Sequence, residues 1–193
     1  MPVTRQTPSQ TIGPFFAYAL IPETPQLPAI ANAALAQPDT PGQEICIEGK
    51  VFDGDGNPVP DAILELWQAD HNGDHLASTR PPSAAFTGFG RTGTNRDGSF
   101  RFDTIKPGRV PDGTGDLQAP HLSVILFARG LLSHLFTRIY FSDEVDANQR
   151  DRILRLVDES RRSTIVADRT ETTDRYRFDI HLQGDRETVF FDA

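Results

Sequence analysis

The sequence predicts an all-β protein, a sandwich of short strands with an irregular N-terminal arm and one short helix. Three observations predict it. From Glu44 onward apolar residues alternate with polar ones in short runs, clusters of Gly, Pro, Asn and Asp separate those runs, and a single segment carries helical spacing. A chain of 193 residues with 37% apolar content suits one domain over 1–193 with a real core, and two full domains would be cramped.

Residues 1–43 read as a docking arm. Prolines at 2, 8, 14, 22, 25, 28, 38 and 41 argue against continuous sheet or a long helix there. Yet "TIGPFFAYAL" carries Ile12, Phe15, Phe16, Tyr18 and Leu20, enough apolar surface to need a docking place, on its own domain or on a second chain. The sandwich occupies 44–193. In "EICIEGKVFDGDGNPVPDAILELWQ" Ile45, Ile47 and Val51 alternate with polar or small residues, turn residues follow, and Leu64 and Leu66 share a face, which predicts a hairpin or a close relative. "TNRDGSFRFDTI" repeats the logic with a turn at Asp97-Gly98 before Phe100 and Phe102. "LSVILFA" is unbroken apolar and reads as a strand buried on both faces, and "HLFTRIYF" follows after a short turn at Gly130. "SDEVDANQRDRILRL" is the one helix, with Ser142 as its cap and Ile153, Leu154 and Val157 as its apolar face. "YRFDIHLQG" places Tyr176, Phe178, Ile180 and Leu182 inward and Arg177, Asp179, His181 and Gln183 outward.

Lys and Arg total 19 against 27 Asp and Glu, and the resulting charge of -8 argues against a nucleic-acid partner. Cys46 is the only cysteine, which excludes an internal disulfide and a multi-cysteine zinc site. The N-terminus lacks the apolar core of a signal peptide, and no stretch approaches the roughly 20 apolar residues of a membrane helix. A cytoplasmic protein with no membrane contact is the expectation.

Two segments mimic calcium loops and fail on spacing. "DGDGNP" has Pro58 where the sharp-turn glycine belongs and Leu64 where the bidentate glutamate belongs, while "DHNGDH" has His75 and Pro81 at those places. Both read as turns whose Asp and Asn side chains bond nearby backbone. Among the five histidines, His181 faces outward on a strand and His71 sits in a turn, whereas His75 and His121 stand at strand ends where loops converge. "APHLSVILFARG" poses the sharpest question, because His-x-His on a strand would present two imidazoles on one face, and here Ser123 takes the second place. The residues alone leave open a metal site, the remnant of one, or an ordinary core strand. Arg129 closes the same run; it reads as half of an internal salt bridge or as a planar fork for a substrate carboxylate.

Taken jointly, "QTPSQTIGPFF", "GKVFDGDGNPVPDAILELWQAD", "GRTGTNRDGSFRFDTIKPG", "APHLSVILFARG" and "YRFDIHLQGDRETVFFDA" resemble the intradiol ring-cleavage dioxygenases over nearly the whole chain. Single pieces are weak, because transthyretin-like binding modules share them. The resemblance implies a transthyretin (prealbumin)-like β-sandwich and a reaction in which a catecholic acid and O2 yield a ring-opened carboxy-muconate. Family members hold Fe(III) with two tyrosinates and two histidines. Those four places fall here on His75, Val110, His121 and Ser123, so only His121 keeps its ligand type, although His75 is chemically able to bind a metal. The resemblance therefore implies an iron-free alpha chain in an α/β hetero-oligomer, with Fe(III) in the partner beta chain. It further implies that Thr11, Gly13, Pro14 and Arg129 line the partner's pocket and bind a small aromatic acid. The chain departs from the pattern at Phe15, where a tyrosine is frequent, and at His75, where alpha chains commonly keep a tyrosine. Two rivals stand beside this reading: a self-sufficient enzyme with altered ligands, and a non-catalytic transthyretin-like binding or interaction module.

Overall fold

The computed structural model describes residues 20–21, 31–76, 85–172 and 174–192. Of the arm, Thr11, Ile12, Gly13, Pro14, Phe15, Phe16 and Tyr18 lie outside the described residues. Nine strands run through the rest: β1 (Glu44–Phe52), β2 (Ile63–Trp67), β3 (Phe89–Gly93), β4 (Ser99–Ile105), β5 (His121–Phe127), β6 (Leu135–Phe141), β7 (Val166–Arg169), β8 (Arg175–Arg177) and β9 (Ile180–His181). They pair in the order β3-β2-β5-β6-β7-β8-β1-β4, with β9 beside β1. The sheet curls on itself, because Leu64, Leu66, Leu122 and Val124 from one end of that order share a core with Ile45, Ile47, Phe100 and Phe102 from the other. Strand β7 is the joint, parallel to β6 and antiparallel to β8.

Inward faces follow the period of two read from the sequence. Ile45, Ile47 and Val51 on β1 are buried, as are Leu64 and Leu66 on β2 and Phe100 and Phe102 on β4. Tyr176, Phe178 and Ile180 are buried, with Leu182 packed partly against them. Gly49 is needed on β1 because a Cβ there would stand 1.7 Å from the Phe178 carbonyl oxygen. Residues 31–43 lie on the sheet: Leu35 is buried and its N–H donates to the Asp103 carbonyl at 2.9 Å.

Four sequence expectations change. The β1–β2 segment is not a hairpin, since β1 pairs with β4, β8 and β9 while β2 pairs with β3 and β5. Val59 N–H closes a tight turn onto the Val51 carbonyl at 2.9 Å, but Pro58 and Pro60 have no N–H to extend a ladder, so the chain crosses to the other half. Likewise the Asn95–Ser99 turn closes as expected and then hands the chain from β3 to β4, which stands at the other end of the strand order and does not pair with it. Strand β5 is not buried on both faces: Leu122, Val124 and Leu126 are fully buried, whereas Ser123, Ile125 and Phe127 are half-buried on the outer face. Finally, the expected single helix is two, α1 (Val145–Arg150) and α2 (Arg152–Leu156), followed by a 3-10 turn over Glu159–Ile165. Ser142 does not cap; its hydroxyl accepts the Arg169 N–H at 2.9 Å. Asp151 breaks the helix instead, extended at ψ 123° between the two pieces, and its carboxylate accepts the Leu154 N–H at 2.8 Å to start α2.

Candidate functional site

The four positions that the resemblance assigns to iron ligands, His75, Val110, His121 and Ser123, gather around one end of β5. Antiparallel partners share a face, so the register His121↔Tyr140 and Ser123↔Arg138 sets these four side chains together on the outer face of β5 and β6. Trp67 of β2 lies opposite Ser123 on the other side; it is half-exposed and tilted against Phe89 with ring centres 4.3 Å apart. Two loops close the end. Asp70 folds its own loop by accepting the N–H groups of Asn72 at 2.8 Å and Asp74 at 3.1 Å, as read from the sequence for this turn and for its twin at Asp53. Gly73 at φ +89° presses on the Arg109 carbonyl, where a Cβ would approach to 2.0 Å, and this sets the His75 loop against the Val110 loop. The Val110 carbonyl then accepts the Gln118 N–H at 2.8 Å, just before β5 begins.

His121 is 7% exposed and its Nδ1 lies 2.8 Å from the Ala119 carbonyl oxygen. A carbonyl only accepts, so the proton sits on Nδ1 and Nε2 keeps its lone pair. Burial first, and the Arg138 charge second, push the imidazole down to about 4. The Arg138 guanidinium is anchored by Gln118 Oε1 at 2.8 Å and the Tyr140 hydroxyl oxygen at 3.4 Å. Tyr140 is fully buried under α2, which holds its phenol well above the usual range, and it donates to Asp151 at 3.1 Å. Asp151 is itself fully buried and also accepts the Ala119 N–H at 2.8 Å. One carboxylate thus fixes the loop that orients His121, the start of α2 and the phenol beside Arg138.

As a donor set these residues do not fit ferric iron. Val110 offers no side-chain donor, Ser123 offers a neutral hydroxyl opposite a guanidinium, His75 is exposed, and the Tyr140 phenol is committed to Asp151. Among the described residues no group of three or more His, Cys, Asp or Glu side chains is placed to share a metal ion.

Arg129 lies elsewhere. It follows the opposite end of β5 from His121, eight residues away and so roughly 25 Å along the strand. Its Nε stands 2.8 Å from Asp61 Oδ2, and the side chain is 59% exposed, better hydrated than its apolar neighbours suggest. Thr11, Gly13 and Pro14 lie outside the described residues. Sequence reasoning missed Arg138, Gln118, Tyr140 and Asp151. The available signal was an arginine inside "LFTRIYF", two residues from a tyrosine and hence on the same face.

Comparison with known proteins gives the chain its context. A family model described as Dioxygenase matches residues 19–184. The protocatechuate 3,4-dioxygenase alpha chain of Burkholderia cepacia is 46% identical over 201 residues, covering 100% of both chains. The protocatechuate 3,4-dioxygenase beta chain of the same organism is 32% identical over 155 residues, covering 74% of this chain and 66% of that one. The dioxygenase domain of a dioxygenase carbohydrate-binding protein fusion from Streptomyces sp. SirexAA-E superposes with a TM-score of 0.63 at 24% identity, over 95% of this chain and 100% of that one, a likeness of fold.

Proposed function

The chain belongs to the dioxygenase family whose model it matches, and from that premise we propose that it acts as the iron-free alpha subunit of an α/β protocatechuate 3,4-dioxygenase. The complex opens protocatechuate between its two hydroxylated carbons with O2, giving 3-carboxy-cis,cis-muconate. Full-length identity to an alpha chain is the observation that carries this reading. The curled sheet is, on the same reading, a sandwich of the transthyretin type.

The ferric ion belongs to the partner beta chain, where it supplies the Lewis acidity that activates the catechol. What this chain contributes is shape and charge. Arg129, with Thr11, Gly13 and Pro14 of the arm, lines the partner's pocket, and the guanidinium receives the substrate carboxylate as a planar fork. Two features support that placement: Arg129 is exposed, and it stands too far along β5 to serve the remnant site of its own chain. The pair with Asp61 is compatible with it, because Nε is the atom engaged and a guanidinium carries further donors on its terminal nitrogens. Co-expression with and without a beta chain, followed by oxygen uptake on protocatechuate, tests the reading. Ring cleavage only by the pair supports it; no gain from the beta chain contradicts it.

A further inference from the structure

We propose that Arg138 closes the remnant site to metal cations by standing as a fixed organic cation beside His121. The inference rests on the reading that residues 75, 110, 121 and 123 occupy the family's ligand places. Missing ligands do not by themselves account for the geometry, since His121 is still arranged as a ligand. It is buried, its Nδ1 is held by the Ala119 carbonyl, and its Nε2 is left with a lone pair, the arrangement in which imidazoles bind metals. The neighbouring charge is what differs. Arg138 lies across from Ser123 in the β5–β6 register and one pair along from His121, on the same face. It does not swing away freely, because Gln118 Oε1 at 2.8 Å and the Tyr140 hydroxyl at 3.4 Å hold its Nη1. The buried carboxylate of Asp151 is not available as a ligand for an incoming ion, since its oxygens already accept from Ala119, Leu154 and Tyr140. A guanidinium does not deprotonate, so the barrier is permanent rather than conditional, and it acts twice as strongly on a divalent ion as on a proton.

The test uses the full chain and Zn2+ alone, by equilibrium dialysis against the unmutated chain as baseline, with thermal melting to verify folding. Ser123→His restores the imidazole pair and is expected to bind scarcely above baseline. Ser123→His combined with Arg138→Gln, or with Arg138→Leu, is expected to bind on the order of a hundredfold tighter. Ser123→His with Arg138→Lys keeps the charge and is expected to stay weak. Ser123→Asp leaves Arg138 in place and does not depend on the neutral variants folding; it adds a carboxylate yet is expected to bind no Zn2+, because the guanidinium takes the carboxylate as its own partner. Tight binding by Ser123→His or Ser123→Asp alone, or no gain on neutralising Arg138, overturns the proposal. Ring cleavage is not the readout, so a failure here stays distinct from a failure of the functional reading.

Discussion

Arg129 carries the residue-scale consequence for catalysis. If it receives the substrate carboxylate, Arg129→Ala in the α/β complex lowers kcat/KM on protocatechuate by about 1.5–3 kcal/mol, the range for a hydrogen bond to a charged group. Catechol, which has no carboxylate, loses much less, and lysine recovers only part of the loss. The rival role, bracing the fold through Asp61, predicts equal losses on both substrates and a large fall in melting temperature. The pair is open to solvent on the Arg129 side and contributes little, roughly 0–1 kcal/mol, so the melting temperature of Arg129→Ala is expected to move only slightly. His121 gives a second prediction. Its folded value of about 4 lies below the ordinary 6.5, so the folded state favours the neutral ring. Stability from this group is full above pH 6.5 and is lost as pH falls through 4, the window that urea unfolding at stepped pH reads. NMR titration is expected to find this ring still neutral at pH 5; a ring protonated there contradicts the buried environment. His121 and Ser123 were legible as a period-two pair in the sequence. Arg138 was not, because spacing along one strand says nothing about which strand lies opposite.

At the scale of elements, Asp151 organises more than its position suggests. Asp151→Ala removes a helix cap and strands the buried Ala119 N–H and Tyr140 hydroxyl, and is expected to destabilise the chain by about 2–4 kcal/mol in urea unfolding. Ser142→Ala, at the residue the sequence marked as the cap, is expected to cost under ~1 kcal/mol, since its hydroxyl accepts one bond at an exposed place. Equal losses at the two positions would mean that the capping assignment is wrong. The helical pattern of 142–156 was readable, but its break was not: a buried carboxylate that serves a loop, a phenol and a cap is a tertiary fact. Strand faces were read correctly wherever one face is packed, as for Tyr176, Phe178 and Ile180. The unbroken apolar β5 misled, because apolar residues on its outer face are only half-covered within the described chain.

For the whole molecule, turns were legible and partners were not. Asp53, Asp70 and Asp97 all close their turns through local side-chain bonds, and such bonds are written in a few adjacent residues. Which strands then pair depends on burying both halves of the sheet against one core, and that placed β1 beside β4 and β8 rather than β2. The half-covered outer face bears on assembly. Arg91 donates to the Leu20 carbonyl there at 3.4 Å, where the described end of the arm meets β3. If the arm docks on a second chain, the chain alone is expected to self-associate in size-exclusion chromatography, since obligate interfaces bury upward of ~2,000 Å2. A well-behaved monomer with a protease-resistant arm would favour an arm packed on its own domain.

On the proposed function, this subunit shapes an active site whose iron it does not hold. Iron content and oxygen uptake on protocatechuate, measured on the same preparations of the chain alone and of the chain co-expressed with its beta partner, test it most directly. The expected result is no stoichiometric iron and no ring cleavage for the chain alone, and both for the pair, with iron equal to the number of beta chains. Stoichiometric iron in the chain alone, lost on His121→Ala and accompanied by ring cleavage, would contradict it.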